Sequence, residues 1–383
     1  MAEPLRIIHC FRSPIGGIFR HVRDLAEQHS RAGHHVGIVC DSLTGGAHED
    51  ALFEDIKPFL SLGLTRIPIH RAISLEDIPT VWRGYRTIKS LRPDVLHGHG
   101  AKGGMLTRVI GSLLRADKYC VARVYTAHGG SLHFSRSTLG GSFVLKMERL
   151  LEHFTDALIF ICDFERQAYQ SKVGRPTKLS RLIYNGINER DFRSVPTRSD
   201  GVAFVYIGML RDLKGPDLFI EAVARTEKLV GRPLSALLIG DGPDRDKYRS
   251  AIDEAGLARR IGILPAMRIE DALSMSRTIV VPSRAESLPY IVLEALAASK
   301  GVIAANVGGI PEVLGPTSEA LARPGDAADL ARIMAASILE HNWRERVMPG
   351  IETIHKTFSA PVMAGDVLKL YREILDRRAV AKI

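Results

Sequence analysis

The chain alternates short apolar runs with amphipathic stretches of helical spacing, and it does so twice. An apolar run at Leu5–Cys10 enters a glycine-bearing turn, Ser13-Pro14-Ile15-Gly16-Gly17, and Ile18, Val22, Leu25 and Ala26 then follow at helical spacing. Gly33 stops that helix and His35–Cys40 reads as the next strand, so the chain opens with a β-α-β unit. Further strands are expected at Leu64–Ile69, Asp94–His97, Val121–Ala127 and Ala157–Cys162, with helical patterns between most of them. The segment Ser194-Val195-Pro196-Thr197-Arg198-Ser199-Asp200-Gly201 has the composition of a linker, and after it the rhythm restarts. Strands are expected at Val202–Gly208, Ser235–Gly240, Ile261–Leu264, Thr278–Val281 and Val302–Ala305, and helices at Pro216–Val230, Asp244–Glu254, Leu288–Ala298 and Ala327–Glu340. Strands separated by helices pair in parallel, which predicts two doubly wound α/β domains, residues 1–195 and 196–360. Such sheets bind ligands at the carboxyl ends of their strands.

Length agrees, since 383 residues at roughly 100–200 per domain make two domains or three. No uncharged apolar stretch approaches the ~18 residues of a membrane span, and the start lacks the pattern of a signal peptide, so a cytoplasmic protein is expected. Cys10, Cys40, Cys120 and Cys162 are scattered without CxxC spacing and read as reduced, buried thiols. Charge is uneven: residues 1–195 hold 27 Lys and Arg against 19 Asp and Glu, and residues 196–383 hold 25 against 24. A basic half suits an acidic substrate, a membrane surface or nucleic acid, but no nucleic-acid reading motif accompanies it.

Several chemistries lose their usual signatures. No GxSxG, HExxH or GxxxxGK[ST] pattern occurs. Gly98-x-Gly100-x-x-Gly103 imitates a dinucleotide fingerprint, yet no acid ends the next strand to hold a ribose, so no nicotinamide or flavin is expected. Asp244-Arg245-Asp246 imitates a metal-binding DxD but falls in a helix first turn, where acids complement the dipole. His97 with His99, and His34 with His35, lack a third ligand at tetrahedral-site spacing, and no metal is expected.

The second half offers more. Glu286 sits at a strand-to-helix turn and Glu294 about two turns down an apolar helix, where a carboxylate needs donors such as sugar or ribose hydroxyls. The loop Gly208-Met209-Leu210-Arg211-Asp212-Leu213-Lys214-Gly215 joins a strand to a helix that begins with Pro216, and cations with helix-terminal N–H groups form a diphosphate cradle.

Gly208 through Lys214-Gly215, Gly240-Asp241-Gly242-Pro243, the run Pro282–Pro289 with Glu294-Ala295, and Gly308-Gly309-Ile310-Pro311-Glu312 resemble the retaining, nucleotide-sugar-dependent glycosyltransferases of family 4, which have the GT-B fold. Gly16-Gly17, His97-Gly98-His99, Thr126-Ala127-His128-Gly129 and Asn185-Gly186-Ile187 extend the resemblance over essentially the whole chain. It implies that Glu286 contacts donor-sugar hydroxyls, Glu294 holds the ribose and His128 lies beside the sugar. Gly16, Gly17, Gly208, Arg211, Lys214, Ser287, Leu288 and Pro289 would line the donor site, with the base near Ile263 and Leu264. Glu286, His128 and Lys214 are the catalytic candidates.

The sequence departs from the family at two places: Met209 stands where an arginine of the phosphate clamp is usual, with Arg211 as the replacement candidate, and Ser287 stands where glycine is common. The implied donor is a UDP- or GDP-sugar, no cofactor is required, and the acceptor is a glycan or lipid-linked hydroxyl in polysaccharide, lipopolysaccharide or glycolipid synthesis. A same-fold sugar-nucleotide epimerase and a donor-binding subunit without turnover remain open alternatives. A C-terminal helix over about 361–383 would cross back to the first domain, as the family's does. Trp82, Arg83, Arg86 and Lys89 share one face of a helical projection, the pattern of a peripheral anchor on an anionic membrane.

Overall fold

A computed structural model of the chain describes residues 3–71 and 75–380, apart from the side chains of residues 47, 48, 379 and 380. Among these residues the strands are β1 (Arg6–Phe11), β2 (His35–Asp41), β3 (Leu64–Ile67), β4 (Val95–His99), β5 (Ala122–Thr126), β6 (Ala157–Phe160), β7 (Leu179–Leu182), β8 (Phe204–Ile207), β9 (Ala236–Ile239), β10 (Ile261–Leu264), β11 (Thr278–Val281), β12 (Gly301–Ala305) and β13 (Leu321–Ala322). They form two sheets, ordered β3-β2-β1-β4-β5-β6-β7 and β10-β9-β8-β11-β12-β13. Every pairing is parallel.

In both sheets the strand order reverses beside the first strand, between β1 and β4 and between β8 and β11. Reversal sends the flanking connections to opposite faces and opens a crevice at the carboxyl ends, so each sheet has one such switch point. β1 and β4 run Ile7-Ile8-His9-Cys10 beside Val95-Leu96-His97-Gly98, buried on both faces as a central parallel strand requires.

The chain divides into one unit of residues 3–186 with the helix Ala360–Val380, and another of Ile187–Ser359. That helix places Met363, Val367, Leu370, Tyr371 and Ile374 in one core with Ile7, Val95, Val124 and Ile159. Burying such side chains stabilises by about 1.5–3 kcal/mol each, which docks the C-terminal segment on the first unit. Residues 381–383 of the expected helix lie outside the described residues.

Several expectations are corrected. The boundary falls at Gly186/Ile187 rather than 195/196, because the polar segment is tied to the second unit: Val195 N donates to Ala298 O at 3.1 Å and Arg198 N to Ser274 O at 2.9 Å. Cys120 is exposed, unlike the buried Cys10, Cys40 and Cys162. The helix before Glu294 begins at Tyr290 rather than Leu288, with Pro289 at its N-cap. The glycines of the false dinucleotide pattern let the helix Gly100–Ala116 lie against the sheet: a Cβ on Gly103 would stand 2.3 Å from the Cys10 carbonyl oxygen.

The helix Asp77–Leu91 buries Gly84 and Ile88 and exposes Trp82 with Arg83, Arg86 and Lys89, but Lys89 is paired with Asp117.

Candidate active site

In the second unit β8 runs into the turn Gly208–Gly215, and the helix Pro216–Val230 follows. The strand ends meet so closely here that side chains are excluded. A Cβ on Gly240 would come 2.0 Å from the Gly208 carbonyl oxygen, and one on Gly215, at φ +70°, 2.3 Å from that of Pro282. Gly308, at φ +61°, brings its backbone against Glu286, where a Cβ would lie 2.2 Å from the carbonyl oxygen. Substitution at Gly215 or Gly308 would meet both a steric block and a backbone conformation that L-residues avoid.

Glu286 lies just past β11 and is only 9% exposed. Lys214 Nζ donates to its Oε1 at 2.6 Å and to its Oε2 at 2.8 Å, and Ser283 Oγ donates to Oε1 at 2.7 Å. A carboxylate offers about four acceptor positions, so Glu286 keeps capacity for one further donor. Lys214, with three N–H groups and a side chain 31% exposed, likewise keeps one for a second anion. The pair is thus held in place before a ligand arrives, and neither charge is left without a partner. Ser283 lies in the run Pro282–Pro289 that carries the family resemblance, but nothing in the sequence marks a serine three residues before a glutamate as its hydrogen-bond donor.

The other charges of this turn are largely engaged. Lys247 Nζ and Tyr248 Oη donate to Asp212 Oδ1 at 2.5 and 2.9 Å, and Arg284 binds Asp217 and the Asp212 carbonyl. Arg211, half-buried, is the cation of the turn with no carboxylate partner among the described residues. Met209 is 38% exposed, and its carbonyl accepts from the buried Tyr206 hydroxyl at 2.7 Å.

Ser287 O accepts from Gly309 N at 2.5 Å, Leu288 is buried, and Pro289 leads into the helix. Ile263 and Leu264 are half-buried on the edge strand β10, where Leu264 O accepts from Gly240 N at 3.0 Å. Glu294 is half-buried rather than enclosed, and it lines a hollow with Asp191, Arg193, Glu270 and Leu273 that includes neither Glu286 nor Lys214. Asp244 and Asp246 open the helix that continues to Glu254, and Asp241 is held by Arg245 at 3.1 Å.

In the first unit Gly16 precedes the helix Gly17–Arg31 at φ +75°, with open space around it. His128 follows β5 at φ +50°, a strained position for a non-glycine residue. The turn is held by Glu165, whose Oε1 accepts from Gly129 N at 2.6 Å and Oε2 from Ile161 N at 2.8 Å. Burial pushes the Glu165 carboxyl up to about 7. His128 does not stand alone. His99 Nδ1 lies 3.1 Å from its Nε2, and the His21 ring meets it edge-on at 4.6 Å. His9, from β1, lies 3.0 Å from His99 and is in register with His97 across the β1–β4 pair. Burial lowers the pKa of His9, His97, His99 and His128 well below the usual range, and brings His21 to about 4 and His29 to about 3. Spacing along the sequence could not reveal this cluster, because its members come from four separate segments, β1, the helix Gly17–Arg31, β4 and the turn after β5, brought together only by the fold.

Comparison with known proteins fits these features. The model for "Glycosyltransferase Family 4" matches residues 15–191 and that for "Glycosyl transferases group 1" matches residues 187–349. The chain is 24% identical over 366 residues to an uncharacterized glycosyltransferase of Methanocaldococcus jannaschii, with 94% of this chain and 96% of that one covered. It is 25% identical over 313 residues to a D-inositol 3-phosphate glycosyltransferase of Kribbella flavida, covering 75% and 72% respectively. The fold resembles that of HepE from Anabaena, crystallised with UDP and glucose, at a TM-score of 0.78 and 19% identity, covering 96% of this chain and 99% of the other. With both halves matched in order and both sheets in place, this chain belongs to the family 4-type glycosyltransferases of the GT-B fold.

Proposed function

We propose that the protein transfers a sugar from a nucleoside diphosphate sugar to a hydroxyl acceptor with retention of anomeric configuration, and that no metal ion assists the leaving group. The reading rests on one observation, the Lys214–Glu286–Ser283 constellation at the switch point of the second sheet. Breaking the bond to the anomeric carbon leaves positive charge on the sugar and negative charge on the departing diphosphate. Lys214 offers its remaining N–H to that diphosphate, Arg211 offers an unneutralised cation in the same turn, and Glu286 offers its remaining lone pair to a sugar hydroxyl. Fixed charges of this kind stabilise a transition state without reorganising during the reaction. Glu294 would hold the ribose, the backbone near Ile263 and Leu264 would meet the base, and His128 would meet the sugar.

A lipid-linked or cell-surface glycan acceptor fits the basic first unit. Besides Trp82, the helix Leu139–Glu152 leaves Leu139, Phe143 and Leu150 exposed beside Lys146, a second apolar and basic surface suited to a peripheral contact with an anionic membrane.

Incubating the protein with UDP-, GDP- and ADP-sugars and hydroxyl acceptors, with and without EDTA, tests the proposal. One donor class should support transfer, and EDTA should leave the rate unchanged. Abolition by EDTA with rescue by Mg²⁺ or Mn²⁺ would contradict the metal-free step. Donor binding without turnover would reduce the chain to a binding subunit, and isomerisation of the donor without an acceptor would make it an epimerase.

A further inference from the structure

Three histidines of the first unit form a connected line. His9 Nδ1 lies 3.0 Å from His99 Nε2, and His99 Nδ1 lies 3.1 Å from His128 Nε2. His9 and His99 are essentially without solvent exposure, and no donor or acceptor meets His9 Nε2. Burial keeps all three rings neutral, so each has one N–H.

That proton count limits the network. Three neutral imidazoles hold three protons, and each of the two N···N contacts requires one. The third proton therefore belongs to one of the two ends, His9 Nε2 or His128 Nδ1. His99 has a single N–H to give, so both contacts must point the same way. If they point toward His9, its Nε2–H is stranded in a dry interior, and buried N–H groups without acceptors are the rarest of unsatisfied groups. If they point toward His128, His9 Nε2 is a bare lone pair and the extra proton sits on His128 Nδ1, on the half-buried ring at the end of the line.

We infer that His9 is a positioning residue which, through His99, fixes His128 as its Nδ1–H tautomer, so that His128 presents an N–H donor to an oxygen of the bound sugar. The inference rests on the proposed function for the sugar, but its tautomeric part does not. All three rings would then be Nδ1–H, the form that free histidine disfavours, because the identity of the protonated nitrogen follows from what the other nitrogen meets. The neighbours leave the line intact. His97 is held separately, between Tyr371 Oη at 2.6 Å and Thr126 Oγ1 at 2.7 Å, and His21 Nδ1 faces Asn185 Oδ1 at 3.0 Å.

The test is nitrogen NMR of the full-length protein labelled with ¹⁵N-histidine at neutral pH, with signals assigned by single His→Gln variants. Wild type should show His9, His99 and His128 each protonated at Nδ1 and bare at Nε2. His9→Leu removes the N–H that sets the direction, so the single-tautomer signature of His128 should be lost. Its sugar-transfer rate should fall by about tenfold, the effect of one hydrogen bond, while nucleoside diphosphate affinity is unchanged. His9→Asn, which places an amide N–H near the Nδ1 position, should restore both. A wild-type His128 protonated at Nε2 would overturn the inference, as would a His9→Leu protein with an unaltered His128 spectrum or unaltered transfer. Should no sugar donor be used at all, the spectra still decide the tautomers, so failure of the functional reading is told apart from failure of the relay. The wild-type spectrum also decides if His9→Leu does not fold.

Discussion

At the switch point of the second sheet charge is kept by giving it partners, whereas the imidazoles at the corresponding place in the first sheet are kept neutral by burial. Glu286 accepts hydrogen bonds from Lys214 and Ser283, and Arg211, in the same turn as Lys214, has no carboxylate partner among the described residues. His9, His97 and His99, at the ends of β1 and β4, sit among other imidazoles and hydroxyls with no carboxylate in the line. The backbone plan is shared, so the difference comes from side chains alone. Parallel strands present the same crevice in both units, and residue choice at the strand ends makes one suited to a diphosphate and the other to neutral, hydrogen-bonding groups.

Acidification should separate the two units most strongly. A histidine whose folded pKa is lowered is protonated first in the unfolded chain, so its contribution to stability is full above about 6.5 and declines as pH falls. Between pH 7 and pH 5, His21 and His29 should each remove about 2 kcal/mol from the first unit, with His9, His97, His99 and His128 adding to the loss. Glu165 acts oppositely, since its raised pKa favours the protonated native form as pH drops, and it offsets about one histidine. The second unit has no buried histidine among its described residues. Hydrogen exchange read peptide by peptide should therefore show protection lost at pH 5 in residues 3–186 and retained in 187–359. Equal loss in both would break the comparison.

The phosphate cations come next. Lys214→Ala should weaken nucleoside diphosphate binding and lower kcat by roughly 10- to 150-fold, corresponding to a charge-assisted hydrogen bond of about 1.5–3 kcal/mol. Arg211→Ala should do the same less severely, with a non-additive double mutant if both cations grip one diphosphate. A near-neutral Arg211→Ala with additive losses would leave Lys214 and helix-terminal amides to act alone.

The smallest effect is expected at the exposed basic faces of the first unit. Anionic vesicles should bind the protein at low salt and release it as salt rises, and Trp82→Ala with Arg86→Glu should bind less. Lys89, paired with Asp117, should contribute little. Equal binding to neutral and anionic vesicles would make these faces ordinary solvated surface.

The sequence revealed the parallel sheets because most central strands are largely apolar runs separated by stretches of helical spacing. It did not reveal β7, whose Leu179-Ser180-Arg181-Leu182 is an edge strand with a polar, half-exposed pattern, or β13, which has only two residues. Glu286 and Lys214 stood out through motifs that the chain keeps contiguous. Their direct contact did not, because they are 72 positions apart and meet only where β8 and β11 lie side by side. His9 was hidden for the same reason: twelve of the fourteen histidines precede residue 187, but only the register of β1 with β4 turns some of them into a line. A polar composition also misplaced the domain boundary, since a proline- and glycine-bearing segment looks like a linker even when its backbone is bonded to the second unit.

The most direct measurement concerns Glu286. Donor binding by calorimetry and sugar transfer by product analysis should be compared in wild type and Glu286→Ala, with thermal unfolding to confirm that the variant is folded. If Glu286 orients the sugar while Lys214 keeps its contact with the diphosphate in the variant, nucleoside diphosphate affinity should stay within a few-fold of wild type while transfer falls by at least ~100-fold. A folded Glu286→Ala protein that transfers sugar at close to the wild-type rate would contradict the assignment of this site.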